Sequence, residues 1–380
     1  MAESWLPASI ALGRLKVRPQ TLYAYVSRGL VEARPDPDDP RRSLYRAADI
    51  DGLSRRKARG RRAAAIATEA IAWGEPVLAS SLSTVSRGRL FYRGQGRRVL
   101  AETATLEDVS ALLWGADAPP ARFSALASEG SMKARMFAGL AARAAQDPPM
   151  AGRAPVLLQR DGAQVLAEMT ASVSGREGDE PAHLRIARAW RADADLVRRA
   201  LVLLADHELN ASAFAARVAA STGASLSACV LAGLAALSGP RHGAHYLRVQ
   251  ALLGEVQALG AERAVRARLD QGIGIPGFGH PLYPDGDIRA ASLLSQLRPS
   301  AMEEDIIAAV QAATGVAPNI DFALCVLTRT AALPAEAPFG LFAAGRCAGW
   351  IAHALEQDRT GDLIRPRARY VGPEPAAALK

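Results

Sequence analysis

The run GIPGFGHPLY, residues 274–283, holds three glycines, two prolines and one histidine in ten positions. Proline lacks a backbone donor and fixes φ, and glycine weakens both helices and strands. The run is therefore neither a helix interior nor a central strand. It reads as a tightly shaped loop that presents His280. No GxGxxG follows a strand pattern anywhere in the chain, which removes the ordinary nucleotide-binding α/β folds.

Working outward, the 380 residues suit two or three units. Apolar residues make up 49% of the chain, enough for a sizeable core, while aromatics are only 5%. Much of the apolar fraction is alanine, which loses no side-chain entropy in a helix, so a mainly α fold is expected. The longest apolar runs fall far short of the roughly 18–20 residues of a membrane span. The N-terminus shows no basic region followed by an apolar core, so no signal peptide is expected. Cys229, Cys325 and Cys347 are odd in number and widely spaced. They form neither a disulfide framework nor a zinc cluster, and a reducing cytoplasm fits.

The net charge of +8 belongs to one end. Residues 1–62 carry about 14 Lys/Arg against about 7 Asp/Glu, and the remainder is close to neutral. Within that end, Ile10, Leu12, Leu15 and Val17 suit a short helix, and a break follows at residues 16–19. Pro19 suits the first position of a second helix, QTLYAYVSRGL, with Gly29 as its C-terminal cap. A Pro/Asp-rich loop (PDPDDPRR) and SLYRAADIDGL come next. The order helix, turn, helix, hairpin-like wing, helix resembles the MerR/excisionase-type winged helix-turn-helix family over about 55 residues. The resemblance implies DNA as a partner. Gln20, Thr21, Tyr23 and Ala24 would face the major groove, and Arg18, Arg28, Arg41, Arg42 and Arg46 would meet phosphates. The alternative is a small helical module for protein contacts. The run RRKARGRR (55–62) suits either a phosphate contact or a solvated linker.

Residues 80–102 alternate and contain Arg-Gly turns, as a short hairpin does. Beyond them, helical period recurs at 106–114, 123–145, 196–209, 211–222, 225–237, 242–259, 290–297, 302–314, 319–332 and 339–355. Gly239-Pro240 breaks one such helix, which sets His242 at the start of the next. A helix N-terminus disfavours imidazolium, so His242 should be neutral and able to donate one N–H to a developing oxyanion. Asn319 suits an N-cap, which puts Asp321 in a first helical turn. Each residue also has an ordinary structural use, as a dipole contact or a buried histidine. His242 and His245 stand at i, i+3, but no further ligand matches, so no metal is expected.

Taken together, GP-x-HG, then GFGH, then PN-x-DF, each about 40 residues after the last, resemble the citrate synthase family. LADHELNASAFAARVAASTG, GRCAGWIAHALEQ, LIRPRARYVGP, GRLFYRG and LEDVSALLWG support the same resemblance, over most of residues 75–373. It implies a mainly α body at 63–380, with a large domain (about 63–240 plus 335–380) and a small one (about 241–334). It implies condensation of oxaloacetate with acetyl-CoA, with the acyl-CoA as substrate and no cofactor. Asp321 would be the base, His242 the donor to the enol oxygen, and His280 the donor to the oxaloacetate carbonyl. The loop Gly274, Ile275, Pro276, Gly277 and Gly279 would lie against CoA. His207, Arg289, Arg346 and Arg365 would hold the two carboxylates, with Arg365 crossing from the second subunit of a homodimer.

The chain departs from the family pattern in places. GPRHGAHYL stands where members commonly read GP-x-HGGAN, with Ala244 for a glycine and the asparagine lost. Pro281 stands where many carry a basic residue. Propionyl-CoA, giving 2-methylcitrate, is a rival substrate, because one methylene is worth only about 1–3 kcal/mol in an apolar pocket. A DNA-binding regulator whose body senses oxaloacetate or acyl-CoA is the other alternative.

Overall fold

The computed structural model describes residues 4–27, 30–37, 39–54, 78–125, 129–368 and 370–372. The chain divides into two units, Met1–Ala79 and Ser80–Lys380.

In the first unit, β1 (Trp5–Pro7), α1 (Ala8–Leu15), α2 (Pro19–Ser27), β2 (Ala33–Pro35), β3 (Ser43–Arg46) and the helical residues 47–54 (α3) follow in order. Lys16 takes a left-handed conformation (φ 50°) and its N–H returns to Leu12 O, which ends α1. Three residues later Pro19 opens α2. β2 and β3 pair antiparallel around the Pro/Asp-rich loop, and β1 pairs with the other edge of β3. Ala11, Leu15, Leu22, Val31, Tyr45 and Ile50 form the unit's small core. β1 was not expected from the sequence, being three residues long, and Val17 lies in the turn rather than in α1. Gln20 and Arg18 are exposed, Thr21 and Ala24 are half-buried, and Tyr23 is 62% exposed. Arg41 and Arg42 are exposed, whereas Arg46 is engaged within the unit by Glu32 (2.9 Å) and Asp49 (3.1 Å). Arg28, Gly29 and the run 55–62 lie outside the described residues.

The second unit opens with a three-stranded antiparallel sheet, β4 (Ser83–Ser86), β5 (Arg89–Tyr92) and β6 (Gln95–Gly96). Arg87 and Gly88 both have positive φ, as a two-residue hairpin turn requires. The hairpin expected over 80–102 ends early, because a helix starts at residue 97. Helices fill the rest: α4 (Arg97–Thr103), α5 (Leu106–Trp114), α6 (Met132–Gln146), α7 (Pro155–Ser174), α8 (Ala182–Trp190) and α9 (Ala194–Leu204). Then come α10 (Ala211–Ala220), α11 (Leu226–Leu237), α12 (Tyr246–Leu259), α13 (Ala261–Asp270), α14 (Ile288–Leu294), α15 (Ala301–Thr314), α16 (Ile320–Thr330) and α17 (Ala337–Thr360). Sequence period missed α7, α8 and α13, and it started α6 nine residues early. Ser131 supplies the α6 cap, accepting from Ala134 N.

α17 is the axis of this unit. Every residue from Ala337 to Gln357 is buried, because α5, α7, α9, α10, α11 and α16 pack around it. Its small residues permit that crowding. A Cβ at Gly349 would lie 2.4 Å from Ala205 O, so the end of α9 lies directly on the α17 backbone. Among the described residues, no helix is long and apolar enough to cross a membrane.

Candidate active site

Three chain breaks meet beside α17. The first follows α11, where Ser238-Gly239-Pro240 ends the helix and His242 N–H bonds back to Gly239 O at 3.0 Å. A short 3-10 turn, Gly243–His245, then leads into α12. His242 Nε2 lies 2.8 Å from Ser212 Oγ, and the ring meets Phe342 edge-on at 5.8 Å. Its pKa is pushed down to about 4, first by burial and then by Arg346 and Arg289. The imidazole is neutral, as expected. The cause differs from the helix N-terminus expected, since desolvation and two guanidinium groups hold the proton off.

The second break is the glycine loop. Gly277 cannot be replaced by a larger residue without strain: φ is 88° there, and a Cβ would sit 3.1 Å from Phe322 Cβ. The loop is stitched to the start of α16. Gly279 N–H donates to Ala317 O (2.9 Å), Asn319 N–H to Gly277 O (2.8 Å), and Asn319 Nδ2 to Gly279 O (3.1 Å). Phe278 also pairs with Pro318 across a short antiparallel bridge and packs on Phe322 at 4.9 Å. The position of His280 is thereby tied to that of Asp321. His280 Nδ1 accepts from Leu282 N–H at 3.1 Å, which leaves the ring proton on Nε2. Burial, then Arg289, push its pKa down to about 4 against the opposing Asp287. Within the loop Ile275, Pro276 and Gly277 are buried, while Gly274 is exposed.

The third break is the start of α16. Asn319 Oδ1 caps the helix, accepting from Asp321 N (3.1 Å) and Phe322 N (3.4 Å). Burial raises the Asp321 pKa to about 7, with Arg289 opposing and Asp287 adding to the rise. A carboxylate tuned in this way is poised to exchange a proton near neutral pH.

Cationic and hydrogen-bonding groups surround these three. His207 Nε2 is 2.9 Å from the Tyr283 hydroxyl, and its ring meets His280 edge-on at 5.1 Å. Arg289 is 3% exposed and forks onto Asp287, with Nη2 to Oδ2 at 2.8 Å and Nε to Oδ1 at 2.9 Å. Its guanidinium also lies 5.4 Å from the Tyr283 ring. Arg346, 1% exposed, donates Nε to Leu204 O at 2.8 Å and stacks on Phe342 at 5.0 Å. Its Nη2 is buried with no hydrogen-bond partner among the described residues, and its pKa is lowered to about 10, chiefly by burial. Arg365 is exposed in the segment after α17 and is not among the side chains that this chain gathers. Sequence reasoning passed over Ser212, Tyr283 and Asp287. Tyr283 and Asp287 stand in and just after the glycine loop, and Ser212 stands two residues after the α10 cap Asn210. Proximity to a motif was their only signal. Among the described residues, no group of three or more His, Cys, Asp or Glu is placed to hold a metal ion.

The model of the family described as "Citrate synthase, C-terminal domain" matches residues 133–367. The chain belongs to the citrate synthase family. It is a transferase of the citrate synthase type. "Putative citrate synthase 2" of Mycobacterium tuberculosis is 34% identical over 332 residues, spanning 76% of this chain and 88% of that protein. "2-methylcitrate synthase 2" of Corynebacterium glutamicum is 34% identical over 194 residues, 46% of this chain and 51% of that protein. The crystal structure of citrate synthase from Thermotoga maritima superposes with a TM-score of 0.66 at 25% identity, covering 81% of this chain and 96% of that one. The Thermoplasma acidophilum citrate synthase in ternary complex with carboxymethyl coenzyme A and oxaloacetate shares the fold with a TM-score of 0.67 at 22% identity, covering 80% of this chain and 96% of that one.

In this citrate synthase-type enzyme, Ser212 is fully buried and its hydroxyl is the partner of His242 Nε2. Ser212→Ala removes that partner from a desolvated ring. We expect turnover to fall about 10–100-fold and stability by about 1–2 kcal/mol, read by steady-state kinetics and urea denaturation.

Proposed function

We propose that this chain condenses an acyl-CoA with oxaloacetate and hydrolyses the resulting thioester to citrate and free CoA. The observation that carries the reading is the glycine loop of His280 bonded to the start of α16, which carries Asp321, with that carboxylate raised to about 7 and His280 and His242 lowered to about 4. Asp321 takes a proton from the carbon next to the thioester carbonyl, and His242 donates to the enol oxygen so formed. The enol carbon attacks the oxaloacetate ketone, and His280 Nε2–H steadies the alkoxide. Arg289, Arg346 and His207 meet the substrate carboxylates, with Arg365 of the partner subunit completing the set in a homodimer. Acyl-CoA lies against residues 274–279. The small domain (about 241–334) closes on the large one and keeps water from the enol.

Thiol release with oxaloacetate, run with acetyl-CoA and propionyl-CoA side by side, tests this. Turnover that disappears in Asp321→Ala supports the reading, and the ratio of the two rates names the acyl group, citrate or 2-methylcitrate being the product. No release with either substrate from folded protein overturns it.

A second reading concerns the first unit, where a turn-linked helix pair and a hairpin expose Arg18, Gln20, Tyr23 and Arg42. This surface suits DNA, with arginines on phosphates and the start of α2 in the major groove. The enzyme body would then add a metabolite sense to a DNA-binding dimer. Binding that weakens steeply with salt and is lost in Arg18→Ala/Arg42→Ala supports it. Salt-insensitive or absent binding counts against it.

A further inference from the structure

Beneath the side of the site formed by His207 and Arg346 lie two ionisable groups that the proposed reaction does not use. Asp206 and His353 are both 0% exposed, and His353 Nε2 is 3.2 Å from Asp206 Oδ1. Asp206 directly precedes His207. His353 follows Arg346 by seven residues, two turns of α17, so both point from one face of that helix. The end of α9 lies against this face. At Gly345 and Gly349 an added Cβ would lie 2.8 Å from Leu201 O and 2.4 Å from Ala205 O. Only glycine permits that approach, which brings Arg346 Nε to Leu204 O and His353 to Asp206.

The pair is the middle of a longer buried chain. His353 Nδ1 is 3.4 Å from Arg217 Nη1, Arg217 pairs with Glu356 at 2.7 Å, and Glu356 Oε1 accepts from both the N–H and the hydroxyl of Ser81 at 2.8 Å. On the other side, the Ser83 hydroxyl donates to Asp206 Oδ2 and accepts from Glu208 N–H at 2.8 Å. Glu208 holds a left-handed backbone (φ 51°), rare for this residue type, and its carbonyl accepts from Asn210 N–H at 3.0 Å. His207 is thus bracketed by two acidic residues, both fastened to β4. Burial opposes ionisation of Asp206, but His353, Arg346 and Ser83 together hold its carboxylate below the ordinary range. At the centre of the network, Asp206 Oδ1 and His353 Nε2 face each other at 3.2 Å with no other hydrogen-bond partner among the described residues, so loss of one strands the other.

We propose that Asp206 and His353 are positioning residues: the pair locks the end of α9 to α17 so that His207 and Arg346 face the oxaloacetate carboxylates in a preset geometry. The inference rests on the substrate reading above, and it assigns a task to groups that reading leaves idle. Neither residue touches substrate. The effect runs through His207, whose backbone the network fixes, and through Arg346, whose side chain spans the same helix contact. Affinity for oxaloacetate is therefore the quantity they set, with acyl-CoA binding left to the glycine loop.

The test uses the full chain with His353→Leu, which removes the ring nitrogen that faces Asp206, and His353→Gln, which restores a polar group in its place. KM for both substrates comes from thiol release, oxaloacetate Kd from calorimetry, and Tm from thermal melts. His353→Leu is expected to raise oxaloacetate KM and Kd about tenfold or more while acyl-CoA KM stays within about twofold, and His353→Gln to recover most of the loss. Unchanged oxaloacetate affinity overturns the proposal. So does a parallel rise of both KM values that tracks the fall in Tm, since that is the mark of general destabilisation. If His353→Leu does not fold, Ser83→Ala takes its place, with a rise of about threefold in oxaloacetate KM expected and no rise overturning the proposal. Wild-type protein that neither turns over nor binds oxaloacetate sinks the substrate reading and this inference with it. Wild-type turnover abolished by Asp321→Asn, with His353 variants unaffected, sinks this inference alone.

Discussion

Asp321→Asn, at the proposed base, is expected to lower turnover about a thousandfold while oxaloacetate still binds. The substitution keeps size and shape and removes only the ability to take a proton, and general-base catalysis is worth about 10²–10⁴-fold. The wild-type pH profile carries a matching signature. Asp321 must be ionised to act as a base, and burial raises its pKa to about 7, so the rate should climb through that pH and level off above it. Stability runs the other way. The folded chain keeps this proton up to about pH 7, whereas an unfolded aspartate releases it near 3.8. Between those values the folded state binds more protons, so stability falls as pH rises through the window. Asp321→Asn removes that slope. The variant should match wild type below about pH 4 and melt higher than wild type above about pH 7. A pH series of melts beside a pH series of rates checks both. A variant that is less stable than wild type at pH 8 would contradict the account of the carboxylate as a desolvated charge.

Arg289→Met should be nearly as damaging, and for two separable reasons. Arg289 and Asp287 are 3% and 1% exposed and form a buried fork. Asp287 does more than pair: it caps α14 by accepting from Arg289 N–H, and it accepts from Ile320 N–H at the first turn of α16. Removing the guanidinium strands a buried carboxylate, at a cost of about 3–5 kcal/mol. The second effect is on the base. Arg289 is the group that opposes the rise of the Asp321 pKa, and Asp287 reinforces that rise. With the cation gone and the anion left, Asp321 titrates still higher, and the pH–rate profile moves to higher pH. Arg289→Met/Asp287→Asn should recover much of the stability but little of the oxaloacetate affinity, because the cation proposed to meet a substrate carboxylate is still missing. Urea denaturation and oxaloacetate KM across wild type, Arg289→Met, Asp287→Asn and the double variant separate the two effects.

What could be read along the chain was whatever acts over three or four residues. Asn319 two positions before Asp321 fixes a capped first turn wherever the helix packs, and glycine and proline at 274–281 fix a loop by sterics alone. The capped segments α5, α10, α11 and α15 were legible for the same reason. In α7 and α13, polar and charged residues interrupt the apolar period, and only two α13 residues are buried, so the pattern carried little signal. The spacing of the motifs also displayed a family resemblance, now matched over residues 133–367. The tertiary fold supplied everything that depends on groups far apart in sequence. His242 is neutral chiefly because the packed helices desolvate its ring, with Arg346 and Arg289 adding to the effect, rather than because of its helix position. Asp206 and His353 meet across 147 positions, and the glycine loop meets Asp321 across about 40, through helix contacts that no local rule dictates. Desolvation and long-range charge set the protonation states of this site, and both come into being only when the helices pack.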